Sequence, residues 1–501
     1  MPRVSKRRAY TTVVILFFIN LLNYMDRFTV AGVLQKIQDY FGINHSLAGL
    51  LQTVFIVSYM ILAPIFGYLG DRYSRKFIMI FGLTIWSCTT FASTLVNKHQ
   101  YWLFFVCRGL VGIGEASYST VASTVIGDLF LDDKRTQMLA LFYFAIPVGS
   151  GLGYVVGSKV SSAFGGHWQW GLRVTPILGL LLIILCVIFV VEPVRGQIER
   201  SQGENDVVAN EEVVILHSWF NDVIHILRCK TYVWSTIGFM LMCFVTGALA
   251  WWAPEFVAYS QSVYYDKSIS ENDNNISLIF GGIACAAGFV GVALGAELSR
   301  RYRARHGDSD ALVCAFGLLA SIPFLFLTLL WASKHIILSY VLLFFGDTLL
   351  FMVWCPVADM LLAVIPPQYR ATASALQILL SHLFGDAGSP YIVGLVTDHI
   401  KESENLSPDF KANHQGLLYS FFMMPFITAL AGACFLISSF YLIKDRAAVK
   451  ATVSGNTEEN RTLLNHGDYD EDSPIDIRND ETIDIVNGEV VSDDVTCDDA
   501  T

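Results

Sequence analysis

Twelve stretches of this chain are long and apolar enough to cross a lipid bilayer, and that constrains the fold more than any motif. A hydrocarbon core takes about 20 apolar residues per helix, and inside it the backbone must satisfy its own hydrogen bonds. The runs lie at 9–34, 46–68, 77–96, 101–126, 136–164, 171–191, 231–259, 277–299, 311–333, 335–361, 371–399 and 416–443. Of the 501 residues, 54% are hydrophobic and 15% charged, and mean hydropathy is +0.50. An ordinary soluble protein of this length is less apolar and more charged. The first run is no signal peptide: it is too long, it contains Asn20, Asn23, Asp26 and Arg27, and no small-residue cleavage site follows. An all-α polytopic membrane protein is expected.

Lys and Arg orient the spans through the positive-inside bias. With the N-terminus in the cytosol, most of the 33 basic residues fall inside, among them Lys6-Arg7-Arg8, Arg72/Arg75/Lys76 and Arg300-Arg301/Arg303/Arg305. Both termini are then cytosolic. Glycosylation sequons at Asn44, Asn275 and Asn405 fall in outer loops. The formal charge of −11 belongs to a tail: residues 451–501 hold 15 Asp/Glu against Arg461 and Arg478. It implies neither a cationic substrate nor a nucleic-acid partner. Eight of the ten cysteines lie within spans, and no paired Cys/His spacing suggests a metal. No cofactor is expected.

The longest polar interruption, 192–230, comes six spans in. The chain therefore divides into an N-terminal six-helix bundle (1–191), a cytosolic linker (192–230), a C-terminal bundle (231–445) and an acidic disordered tail (446–501). Ile215 to Leu227 has the pattern of a short amphipathic surface helix. A 6+6 division suggests internal duplication. Gly67, Arg72 and Arg75 after the second span recur at a constant offset of 228 as Gly295, Arg300 and Arg303 after the eighth, with Ser299 in place of Asp71.

Ionisable groups at membrane depth are costly and normally face a cavity or a partner. Asp26 and Arg27 lie in the first span. Arg108 and Glu115 lie in the fourth, seven residues apart and so on one helical face, about 10 Å apart along the axis. Two acids and two bases form a formally neutral set, in which a protonated carboxylate releases an arginine fork for an anion. Asp347, Asp359, His382 and Asp386 are weaker second-half candidates, with no obvious intramembrane cation, and Asp359 suits a place near the cytosolic surface. Pro390 is expected to bend the eleventh span. Trp102, Trp168, Trp170, Trp251, Trp252 and Trp331 read as an interfacial belt.

The loop Gly67-Tyr-Leu-Gly-Asp71-Arg72-Tyr-Ser74-Arg75-Lys76 resembles the signature between helices 2 and 3 of the major facilitator superfamily, with Ser74 in place of the second glycine. Asp71, Arg72 and Arg75 within it are expected to latch the cytosolic side. Together with Asn23-Tyr-Met-Asp26-Arg27, Arg108-Gly-Leu-Val-Gly-Ile-Gly-Glu115-Ala-Ser, Ile146–Gly153, Trp168–Pro176 and His382–Pro390, it makes residues 10 to 445 resemble the spinster family. The resemblance implies twelve transmembrane helices in two six-helix bundles, and it places Asp26, Arg27, Arg108 and Glu115 in a transport and proton-coupling site. It further implies a proton-coupled secondary transporter of single-chain amphiphilic lipids, lysophospholipid or a sphingolipid such as sphingosine-1-phosphate. Glu459-Asn-Arg-Thr-Leu463-Leu464 fits an acidic dileucine motif read by cytosolic sorting adaptors, which favours a late-endosome or lysosome membrane over the plasma membrane. The rival readings are a porter for soluble sugars or organic anions and a non-transporting sensor acting through its tail. An enzyme is not expected, since no nucleophile–base set stands out.

Overall fold

A computed structural model describes residues 5–130, 132–193, 219–267, 275–303, 306–366, 369–404 and 409–465. Their regular elements are helical. The first half holds α1 (Lys6–Ala31), the short α2 (Leu34–Phe41), α3 (His45–Arg72), α4 (Arg75–Ser93), α5 (Tyr101–Leu129), α6 (Asp132–Ala163) and α7 (Trp168–Phe189). After α8 (Trp219–Arg228), on the stretch expected to be an amphipathic helix, come α9 (Lys230–Tyr265), α10 (Ile276–Arg303), α11 (Ser309–Trp331), α12 (Ile336–Phe351) and α13 (Trp354–Val364). The chain continues as α14 (Arg370–Ser381), a π-turn (His382–Asp386), α15 (Gly388–Ser403), α16 (Phe410–Phe421) and α17 (Met423–Asn465). Residues 1–450 form one compact unit and 451–501 a second.

Among the described residues, ten helical stretches are long and apolar enough to cross a membrane: Lys6–Ala31, His45–Gly70, Arg75–Ser93, Gln137–Ala163, Trp168–Phe189, Lys230–Tyr265, Ile276–Arg303, Ser309–Trp331, Ile336–Val364 and Phe410–Val449. They fall on ten of the twelve expected runs. The other two runs differ for physical reasons. α5 carries Arg108 and Glu115 in its middle, and the eleventh run is cut into α14, the π-turn and α15. The expected bend at Pro390 thus lies one turn earlier. Proline has no N–H for the carbonyl four residues back, here Asp386, and just before it the Ala387 N–H reaches five residues back to His382 O at 2.9 Å, the i→i−5 bond of a π-turn. At the C-terminus α17 runs to Asn465, past the boundary expected at 445; Arg446-Ala-Ala-Val-Lys-Ala carries it to 451 with mostly good helix formers, whereas propensity does not account for its passage through Ser454-Gly455-Asn456.

Close helix approach organises each half. On α6, Gly149, Gly153 and Gly157 recur every four residues and lie against the carbonyls of Leu21, Met25 and Thr29 on α1; a Cβ at Gly153 would stand 2.5 Å from Met25 O. This row fixes the face that α1 turns toward α5. The side bearing Lys6, Arg75 and Asp128 is called here the near side, and that bearing Asn44 and Asn275 the far side. Polar contacts between the halves gather toward the far side: Ser46 with Asp398, Thr53 Oγ1 donating to Ala387 O at 2.5 Å, the Tyr154 hydroxyl with Ala250 O, and Lys159 with Asn275. Backbones meet there too, Gly49 against Pro390 and Gly394 against His45.

The expected tryptophan belt is partly overturned. Trp102 is 63% exposed, but Trp168, Trp251 and Trp252 are buried. Trp252 sits where the halves meet and donates Nε1–H to Pro390 O at 2.9 Å, and Trp168 packs on Tyr40, Phe41 and Phe104. Partner surfaces, rather than the membrane boundary, take up these rings.

Candidate functional site

α1 and α5 run in opposite directions, so Asp26-Arg27, a little over one turn from the far end of α1, and Arg108, about two turns from that of α5, come to similar depth. The four expected residues meet. Arg27 Nε donates to Glu115 Oε2 at 2.7 Å, and Arg108 Nη1 stands 3.9 Å from Asp26 Oδ2. Glu115 is deeper in the membrane by two turns, and the long Arg27 side chain spans the step.

The two pairs are built differently. Asp26 is fixed: Thr175 Oγ1 on α7 donates to Oδ1 at 2.5 Å and Trp86 Nε1 on α4 to Oδ2 at 3.1 Å. Arg108 is buried and has Nε and Nη2 without a hydrogen-bond partner, and Glu115 Oε1 is likewise unpartnered. A buried guanidinium with two open donors is costly unless an anion or water completes it. The Arg27 side chain is 17% exposed while that of Glu115 is fully enclosed, so Arg27 is the member that solvent reaches. Aromatic faces surround the cations: Arg27 lies 4.8 Å from the Tyr24 ring centroid and 5.0 Å from those of Phe55 and Tyr59, and Arg108 lies 4.9 Å from Phe55. Such faces hold a cation without satisfying its N–H groups. Sequence reasoning missed Trp86, Thr175 and the aromatic wall, since none of these positions breaks an apolar pattern.

His382 and Asp386 also meet, Nδ1 to Oδ2 at 2.6 Å, across the π-turn. The acid lacking an expected cation has this histidine as its partner. Asp359 is paired at the near side with Arg303 at 2.7 Å, and Arg303 also bonds Asp310 at 2.8 Å. Its counterpart in the first half is Arg75, which pairs with Asp128, while the Arg75 N–H donates to Glu192 at 2.6 Å. Arg75 and Arg303 stand at the repeated position read from the sequence; of their acidic partners Asp359 is among the sequence candidates, whereas Asp128, Glu192 and Asp310 are not. The side chains of Asp71 and Arg72 lie outside the described residues, as do those of Glu459, Leu463 and Leu464, and all of Asn405. Asn44 is exposed and caps α3 by accepting from the Leu47 N–H at 3.0 Å; Asn275 is exposed as well.

A family model for the Major Facilitator Superfamily matches residues 16–389. Protein spinster homolog 1 of Homo sapiens is 48% identical over 463 residues, covering 91% of this chain and 85% of that protein. Protein spinster homolog 3 of Homo sapiens is 45% identical over 460 residues, covering 90% and 87%. Among solved structures the chain is similar to a bacterial homolog of the human lysosomal transporter Spinster in an inward-facing and unoccupied conformation, with a TM-score of 0.76, 20% identity, and coverage of 88% of this chain and 99% of that one. At these identities the solved structures establish the fold.

Proposed function

This chain belongs to the spinster family of the major facilitator superfamily, a family of transporters rather than enzymes, and we propose that it is a proton-coupled carrier of single-chain amphiphilic lipids. In this reading twelve helices cross the membrane in two bundles, the near side is cytosolic with both termini, and α5 and the α14–α15 stretch are the two spans whose polar content serves transport. Far-side contacts between the halves support an inward-facing state.

The observation that carries the reading is the buried Arg108 with two open donors beside the exchangeable Arg27–Glu115 pair. A phosphate head group offers bidentate acceptors to such a fork. A proton on Glu115 cancels the charge that holds Arg27, so the guanidinium becomes available to the anion. Proton and substrate then act through the same arginine. Lysophospholipids and sphingosine-1-phosphate combine that head group with one apolar chain, which the apolar walls of the bundles can accept. A lumen one pH unit below the cytosol contributes about 1.4 kcal/mol per proton, which supports salvage from late endosome or lysosome to cytosol. The lysosomal transporter named for the bacterial structural relative supports that location. Asn44, Asn275 and Asn405 serve as glycosylation sites on the lumenal side, Asp71, Arg72 and Arg75 as part of the cytosolic gate, and Glu459, Leu463 and Leu464 as the adaptor signal.

The test is uptake of a labelled lysophosphatidylcholine into proteoliposomes of the full chain under an imposed pH gradient. Unlabelled lysophosphatidylcholine or sphingosine-1-phosphate should compete and hexoses should not. Competition by hexose alone, or flux indifferent to the gradient, would overturn the lipid or the proton half of the reading respectively.

A further inference from the structure

A second group of buried ionisable side chains lies on the far side, away from the quartet, and is divided between the halves. His45 begins α3. Its Nδ1 is 3.2 Å from Asp398 Oδ1 on α15, and its Nε2 is 3.6 Å from Glu255 Oε1 on α9. Side-chain exposure is 5% for His45, 0% for Glu255 and 12% for Asp398.

The two carboxylates are not equivalent. Asp398 caps the N-terminus of α3 from the opposite half: the His45 N–H donates to Oδ1 at 3.2 Å, and the Ser46 N–H and hydroxyl donate to Oδ2 at 2.7 and 2.5 Å. Its charge is therefore well held. Glu255 is the opposite case, with both oxygens enclosed and no hydrogen-bond donor, and His45 Nε2 is equally unpartnered. If His45 is neutral and gives Nδ1–H to Asp398, its Nε2 lone pair faces the Glu255 carboxylate, and a buried anion stands uncompensated. One proton between Nε2 and Oε1 removes that conflict, whether it makes an imidazolium or a carboxylic acid.

Other charges near the cluster leave room for one proton. Lys401, one turn beyond Asp398 on α15, donates Nζ–H to Asn413 Oδ1 at 2.5 Å and feels both carboxylates; Asp39 on α2 feels Glu255. On α16, His414 stacks on Phe256, the neighbour of Glu255, and Trp252 packs on the His45 ring. With His45 neutral, Glu255, Asp398, Asp39 and Lys401 sum to two negative charges, so the cluster stays anionic and gains by taking up a proton.

We propose that His45, Glu255 and Asp398 form a second proton-binding site, distinct from the quartet, which is complete only when the far side is closed, so that closing this side takes up a proton. Separation of the halves would return Glu255 and His45 to water, and the proton with them. Acid on the far side then favours the far-closed state, by up to tenfold in the closed-to-open ratio per pH unit for one proton. The proposal rests on the alternating access of the reading above, and not on its substrate.

The experiment reads conformation without substrate. Nitroxide labels at positions 98 and 334, exposed on the far side in opposite halves, are attached to the full chain in nanodiscs on a background without reactive cysteines. Their distance distribution is measured between pH 8 and pH 5. The short-distance population should rise as pH falls. Glu255→Gln, which mimics the protonated acid, should hold it high at both ends of the range, and His45→Gln should flatten the pH response. Glu115→Gln should leave the response in place. A wild-type distribution that ignores pH overturns the proposal, and so does a response that survives in Glu255→Gln or vanishes in Glu115→Gln. Should His45→Gln fail to fold, Glu255→Gln still decides. Lack of lipid transport would move none of these distances, so the two readings fail separately.

Discussion

The charged quartet and the His45 cluster are both buried and both ionic, but the first lies on two helices of one half while the second is shared between halves. Asp26, Arg27, Arg108 and Glu115 belong to α1 and α5, and Thr175 and Trp86, which fix Asp26, belong to α7 and α4 of the same half. In the proposed rocking of the halves, these groups would travel together. Their pairing is changed by a ligand or a proton, and only weakly by the motion. His45 faces Glu255 and Asp398 from the other half, so in the proposed cycle motion would make and break that cluster. A binding site biases a conformational equilibrium only by its difference in affinity between the two states. The quartet thus suits recognition, and the divided cluster suits linkage of pH to conformation.

The largest expected effect breaks the first member of the comparison. Arg108→Ala should abolish transport, since it removes the open donors and leaves Asp26 buried beside no cation. Loss of one partner of a buried pair costs about 3–5 kcal/mol, so the thermal midpoint should also fall. Arg108→Lys separates the two effects. It keeps the charge near Asp26 and so most of the stability, but a point charge cannot reproduce the planar fork, and transport should remain at least tenfold down (about 1.4 kcal/mol). Near-normal flux in Arg108→Lys at normal surface expression would show that the fork is not what the substrate uses.

The quartet was legible in the sequence and the divided cluster was not, since the rule that finds the first touches only Glu255 of the second. Charges in the middle of apolar runs stand out, and Asp26, Arg27, Arg108 and Glu115 are such charges. Glu255 also lies within an expected span, 231–259, but near its end, where an acid reads as solvated. His45 precedes a span and Asp398 ends one, so neither breaks a hydrophobic pattern. Their meeting depends on which helix ends the two halves bring together, and residues 45, 255 and 398 share no periodicity that would announce it. The same limit applies to Asp128 and Glu192, found only through their bonds to Arg75. Spans and repeated turns are local in the chain, and ion pairs across a bundle are not.

A middle-sized effect concerns the proton in the quartet. Glu115→Gln keeps an oxygen to accept from Arg27 Nε, at 2.7 Å in the parent, but removes the charge and the titration. Transport should continue at a reduced rate that follows pH less steeply than the parent's, read as initial uptake across pH 5 to 8 in proteoliposomes. Far-side closure should still follow pH in this variant. A rate that tracks pH as steeply as the parent would take the coupling proton away from Glu115.

The smallest effect tests the seam between the halves against packing inside one half, with two glycines of nearly equal crowding. A Cβ at Gly112 on α5 would stand 2.3 Å from Phe55 O on α3, and one at Gly49 on α3 would stand 2.2 Å from Pro390 O on α15. Both are backbone clashes that no side-chain rotation relieves. Gly112 has nowhere to go, because α3 and α5 are packed along their lengths in one half. Gly112→Ala should therefore lower stability by about 1–3 kcal/mol, the usual cost of overpacking, seen as a fall in thermal midpoint. Gly49 has an escape, since parting the halves on the far side removes the contact altogether. Gly49→Ala should leave the midpoint nearly unchanged and shift the label distances between positions 98 and 334 toward the open population, and Gly394→Ala, which meets His45 O at 2.3 Å, should do the same. If Gly49→Ala instead melts like Gly112→Ala with its distances unmoved, the far-side seam is fixed packing rather than a moving gate.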